Sequence, residues 1–142
     1  MDIFVPILLS VALLLGLIGL FFVFSRKKSK FDLRLREEVK KADIKIGNLL
    51  RKNNIDLKKQ ALIVADKTLD SVLKTVVTGK DMGGRLKNAR KLFSDDESLY
   101  QQIWEAHKTR NKVVHQVDFS PKSDRLVISI NSLRRGWKYL GY

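Results

Sequence analysis

The sequence predicts an all-α protein: a single N-terminal transmembrane helix followed by a small bundle of four to five helices. Three observations carry that expectation. Residues 3–24 contain no charged side chain. Downstream, apolar residues recur at three- and four-residue steps in one segment after another, the spacing of a helix face turned toward a core. And no linker, repeat or low-complexity tract separates those segments.

The apolar run from Ile3 to Phe24 is about 22 residues long, enough to cross the hydrocarbon of a bilayer at 1.5 Å per residue. Pro6 falls in the first turn, where its missing N–H costs least. A cleaved signal peptide is the alternative. It asks for a basic start, a shorter apolar stretch and a small-residue cleavage site, and the chain offers only Asp2 before a long run ending in Phe21, Phe22, Val23 and Phe24. Arg26, Lys27, Lys28 and Lys30 follow at once, which predicts an inner-membrane, single-pass protein with its N-terminus outside and its C-terminal domain in the cytoplasm. The expected division is 1–25 anchor, 26–55 basic juxtamembrane segment and first helix, and 56–142 helical domain.

All 28 Lys and Arg lie after Ser25, against 14 acids, which leaves that part of the chain at +14. Such a charge attracts polyanions, either anionic lipid or nucleic acid. The absence of cysteine excludes disulfides, thiolate metal sites and cysteine nucleophiles. No metal-ligand cluster is apparent, and no cofactor is expected.

Leu35, Val39, Ala42, Ile46, Leu49 and Leu50 form the apolar face of the first bundle helix, and Asn53-Asn54 reads as its end. Asp56 is a candidate cap for the central helix, whose broad stripe runs from Leu57 through Ala61, Ala65, Leu69 and Leu73 to Val77. Thr78-Gly79 is expected to close it. A shorter helix follows over Met82, Leu86, Ala89 and Phe93. Gly83-Gly84 beside Arg85 lacks the strand that a phosphate loop needs, so it is read as a turn. Ser94 with Asp95, Asp96 and Glu97 marks the next helix start, and Leu99, Ile103, Ala106, Arg110 and Val113 share its face. Ser120-Pro121 is the expected start of the last helix. Val127 to Ile130 alone would suit a strand, but the longer period through Leu133, Trp137 and Leu140 favours helix.

The chemistry-bearing stretch is Arg110-Asn111-Lys112-Val113-Val114-His115. The chain has two histidines, His107 and His115, and both lie in or beside it. Histidine changes charge near neutral pH, and a guanidinium grips phosphate with two parallel hydrogen bonds. Arg110 lies on an apolar stripe, where an unpaired charge is costly. It therefore pairs with an acid, Asp66 or Asp70 of the central helix being the candidates, or meets a ligand or second subunit. His107 either faces solvent or lines the same cleft, and Trp104 and Trp137 either pack in the core or offer base-stacking faces.

The segment Ala106 to His115, with its Arg, adjacent polar residue and following His, resembles the signature of HEPN-type domains. Asp66-Lys67-Thr68-Leu69-Asp70, Met82-Gly83-Gly84-Arg85-Leu86 and the closing Ser120-Pro121 helix resemble a membrane-anchored bacterial branch of them, over residues 57–142. The resemblance implies a HEPN-like four- to five-helix bundle that forms a homodimer and binds RNA or nucleotide. In active members it implies RNA cleavage without a metal, by 2′-hydroxyl attack. His115 would then be the acid–base group, Arg110 would hold the phosphate and Asn111 would orient one of them, with His107, Lys108, Lys112 and Arg85 as further phosphate contacts. Other members are interaction modules, so the alternative is a non-enzymatic scaffold, tethered to the membrane, that binds protein or anionic lipid.

Overall fold

The computed structural model describes the backbone of residues 4–142 and, upon it, the side chains of residues 10–21, 23 and 32–142. Five α-helices and one short 3-10 helix make up its regular structure: α1 (Phe4–Arg51), α2 (Ile55–Val76), α3 (Met82–Ala89), the 3-10 helix Arg90–Phe93, α4 (Glu97–His115) and α5 (Ser123–Tyr139). There is no strand among the described residues, and Val127 to Ile130 is helical as its longer period suggests.

The chain divides into two compact units, Met1–Leu35 and Arg36–Tyr142, so the division falls inside α1. In the first unit, Leu13, Leu14, Leu17 and Phe21 are all exposed. Among the described residues no helix is long and apolar enough to cross a membrane. That finding corrects the expected single-pass anchor, and with it the membrane localisation and the outside-to-cytoplasm orientation. Of the two residues taken to bound the span, Ile3 lies outside the described residues, as does the side chain of Phe24. The helix also does not stop at the basic collar, but runs unbroken to Arg51.

The second unit is built around α5. Leu126, Ile130, Leu133 and Trp137 are fully or almost fully buried, facing Ala61, Leu62, Ala65, Leu69 and Leu73 of α2 and Leu99, Ile103 and Ala106 of α4. Trp137 is thus a core residue. A bidentate pair from Arg134 to Asp43, at 2.7 and 3.0 Å, fastens α1 to α5. The Arg134 hydrogen bond, against a smaller effect of burial, holds the Asp43 carboxyl below its ordinary value.

The caps differ from the sequence expectations in instructive ways. Asn54, not Asp56, caps α2: its Oδ1 accepts from the N–H groups of Asp56 and Leu57 at 2.8 and 3.1 Å. Asp96, not Ser94, caps α4 through the Leu99 N–H, because residues 90–93 first make the 3-10 turn. Helix α5 starts at Ser123 behind Lys122, which gives no side-chain cap. Pro121 is buried instead of opening the helix, and the Ser123 hydroxyl receives Lys58 Nζ at 2.5 Å.

Helix α2 ends at Val76, before Thr78-Gly79. Gly79 serves a close approach: a Cβ there would stand 2.6 Å from the backbone nitrogen of Arg85. Gly83 and Gly84 are not a turn but the first turn of α3, where Asp81 accepts from the Gly84 N–H at 2.8 Å. This tight connection lays α3 beside α2 and leaves an open cleft between α2, α3 and α4.

Candidate functional site

The cleft has a volume of about 570 Å³. Asp66, Lys67 and Asp70 line it from α2; Asp81, Met82, Gly83 and Arg85 from α3 and its cap; and Trp104, His107, Lys108, Arg110 and Asn111 from α4. The α4 members repeat at three- and four-residue steps, which places them on one helix face.

Four of these residues close a ring of contacts. His107 Nδ1 lies 2.8 Å from Asp66 Oδ1. His107 Nε2 lies 3.1 Å from Asn111 Nδ2. Asn111 Oδ1 accepts from Arg110 Nη1 at 3.0 Å. Arg110 Nε then returns to Asp66 Oδ2 at 3.4 Å. The first three are hydrogen bonds, whereas the last is an ion pair in which the buried Nε has no hydrogen-bond partner. Asp66 and His107 are buried at 3% and 7% exposure, while the Arg110 side chain keeps 28%. Charge is thus neutralised at the base of the cleft, and the guanidinium remains partly open at its edge.

The second carboxylate of α2 is served differently. Asp70 receives Arg85 Nε at 2.6 Å and Nη2 at 3.0 Å, and Lys74 at 3.0 Å. Arg85 Nη1 donates to the Gly79 carbonyl. Burial pushes the Asp70 carboxyl up, but the hydrogen bonds from Arg85 and Lys74, together with their charges, outweigh it and hold it below the ordinary value. Arg85 is therefore committed to the fold, although it lines the cleft.

The expected site residues separate accordingly. Arg110, Asn111, His107, Lys108 and Arg85 come together in the cleft, as do both candidate partners of Arg110, and of those two it is Asp66 that Arg110 meets. Lys108 is exposed and holds Glu105 at 2.8 Å. That bond, followed by weaker opposing burial and the charges of Lys108, Arg125 and Lys112, keeps the Glu105 carboxyl below its ordinary value. His115 and Lys112 do not line the cleft. His115 is the exposed last residue of α4, eight residues and roughly 12 Å of helix beyond His107. Lys112 lies over the Phe119 ring at 5.7 Å.

No family model, no curated protein and no solved structure matches the chain. The resemblance to HEPN-type domains rests on the sequence residues that carry it.

Asp81 of the cleft was not named from sequence, and Lys67 and Gly83 were named there only within longer segments. Lys67 gave no periodic signal of its own, though its place beside Asp66 puts it at the cleft once Asp66 faces Arg110. Gly83 opens the wall opposite His107: a Cβ added there would stand 3.9 Å from Nε2 and 4.0 Å from the Trp104 ring. No group of His, Asp and Glu suited to hold a metal occurs among the described residues. The donors that converge on the cleft are guanidinium, ammonium, imidazole and amide groups, which suit an anion with several acceptor oxygens.

Proposed function

We propose that this protein binds RNA or a nucleotide in the α2–α3–α4 cleft, with Arg110 as the principal phosphate contact. The observation that carries the reading is the Arg110 guanidinium, 28% exposed at the edge of a cleft shared with Lys67, Lys108 and Trp104 while its buried Nε faces Asp66. A phosphate oxygen accepts strongly from guanidinium and ammonium groups, and an indole face in such a cleft supports a base by roughly 1–3 kcal/mol. The formal charge of +13 on the whole chain assists encounter with a polyanion. The likeness of residues 106–115 to the HEPN signature agrees with this reading and extends it to metal-free cleavage. Since His115 stands outside the cleft, the role that the resemblance gives it calls for a second copy of the chain to bring His115 to Arg110.

One observation favours a second reading, a non-enzymatic helical scaffold for a protein or anionic lipid. Arg110 contacts Asp66 across helices, as a residue that fastens α4 to α2 would.

A binding and cleavage assay on the full chain separates the readings. Short RNA should bind with an affinity that falls as salt rises, and Lys67→Glu with Lys108→Glu should weaken it roughly tenfold or more. Shortened RNA in the presence of a chelator would add cleavage to binding. Equal affinity of the double variant and the native chain would remove the cleft from RNA recognition.

A further inference from the structure

The hydrogen bonds of the ring run in one direction. An ionised carboxylate only accepts, so Asp66 places the imidazole hydrogen of His107 on Nδ1. In the neutral ring Nε2 then carries a lone pair and takes a hydrogen from the Asn111 amide. That fixes the amide: with its NH2 turned to His107, its carbonyl oxygen faces Arg110 and accepts from Nη1. The guanidinium is held back by an oxygen whose position the imidazole decides.

A second proton on His107 reverses the logic. Nε2 becomes a donor and confronts the NH2 of Asn111, 3.1 Å away. A half-turn of the amide relieves the conflict by bringing its oxygen to Nε2–H. The same half-turn points NH2 at Arg110 Nη1, and a guanidinium has no acceptor with which to meet it. Arg110 thereby loses its hydrogen bond to Asn111 and turns to whatever acceptor the cleft holds. The imidazole lines the cleft, with Nε2 facing Gly83.

We infer that His107 sets the phosphate-binding state of Arg110, with Asn111 as the positioning residue between them. This rests on the reading of the cleft as a phosphate site. The other charged groups around the imidazole are accounted for on each element. From α2 come Asp66, Lys67 and Asp70, the last engaged by Arg85 and Lys74. From α3 and its cap come Asp81, which holds the Gly84 N–H, and Arg85 itself. From α4 come Lys108, paired with Glu105, and Arg110. Of these, Asp66 is the one in hydrogen-bond contact with the ring. No covalent bond changes in the protein frame: the proton comes from solvent and stays on Nε2.

The test is a side-chain NMR titration of the full chain from about pH 8 to about pH 5, the range in which histidine changes charge, with and without a rhodamine-labelled oligouridylate whose phosphodiester charge is constant there. Neutral His107 should be the Nδ1–H tautomer. The Asn111 amide and Arg110 guanidinium signals should shift with the same midpoint as His107, and oligouridylate affinity should rise at least about threefold across that midpoint. Asn111→Asp, which has no NH2 to turn and offers Arg110 an acceptor in either state of His107, and His107→Gln should each flatten the affinity profile. A neutral His107 in the Nε2–H form, or Arg110 signals indifferent to its titration, overturns the inference. If the coupling is present but oligouridylate binds at no pH, the phosphate reading fails instead, and with it the capture of phosphate by the freed guanidinium.

Discussion

Asp66 and Asp70 stand one helical turn apart on α2, and each faces an arginine across the same cleft, yet the two pairs are built to different ends. Arg85 grips Asp70 with two short bonds and spends its third nitrogen on the Gly79 carbonyl, at 9% side-chain exposure. Arg110 reaches Asp66 at 3.4 Å through an Nε without a hydrogen bond, and stays 28% exposed. The saturated arginine shapes the cleft, and the incompletely satisfied one keeps part of its guanidinium exposed at the cleft edge. Two arginines facing acids of one helix thus differ in how many of their donors the fold has already used, and the proposed phosphate site rests on that difference.

The largest expected effect falls on the saturated pair. Arg85→Ala leaves the Asp70 carboxylate with Lys74 alone and the Gly79 carbonyl without its donor; a loss of roughly 3 kcal/mol follows, seen as a drop in Tm of about 10 °C. Gly79→Val should be at least as damaging, since the added carbon meets the Arg85 backbone. Should either variant melt like the native chain, the corner is not the structural member of the two.

Next comes Asp66→Ala. It strips the acceptor from buried His107 and should cost about 1–3 kcal/mol by denaturant titration, with a change of His107 tautomer that Arg85 variants do not produce. Arg110→Ala reverses the balance between stability and binding. Its guanidinium is 28% exposed and its contact with Asp66 is not a hydrogen bond, so the stability loss should stay below that of Arg85→Ala, whereas RNA affinity should drop roughly tenfold. A stability loss as large as that of Arg85→Ala would favour the scaffold reading.

Acid titration sharpens the contrast further. The Asp70 carboxyl is held below its ordinary 3.8 in the folded chain. A depressed carboxyl contributes stability that is complete above the unfolded value and is lost as pH falls through the folded one. Stability should therefore decline below about pH 3.8, with Asp43 adding in the same direction, and Asp70→Asn should shrink that decline. The smallest effect belongs to His115→Ala, within about 0.5 kcal/mol in stability and without influence on RNA binding by the isolated cleft of one chain.

The helices were legible because apolar periodicity survives in every amphipathic segment: the stripe through Ala61, Ala65, Leu69 and Leu73 is the buried face of α2. Their starts were less so. Asn53, Asn54 and Asp56 are all plausible caps, and only the backbone decides which oxygen meets the free N–H groups. At Ser120-Pro121 the start signal was outweighed by burial of the proline and by Lys58 taking the Ser123 hydroxyl. The apolar N-terminal run read as a membrane span, which no helix among the described residues supports.

Within the site, the pairing of Arg110 with an α2 acid was legible from a charge on an apolar stripe. The choice of histidine was not. His107, Asn111 and His115 recur every four residues and share one side of α4, so periodicity treats them alike. What distinguishes them is position along the axis: His107 is buried and lines the cleft, whereas His115 is exposed at the end of α4.

The most direct test of the central claim is a fluorescence anisotropy titration of a rhodamine-labelled oligouridylate with the full chain and with Arg110→Ala, at one fixed ionic strength. Saturable binding by the native chain, weakened roughly tenfold in the variant while its melt is preserved, is the result predicted by a phosphate site at Arg110. Equal binding by the two proteins, or none by either, contradicts it.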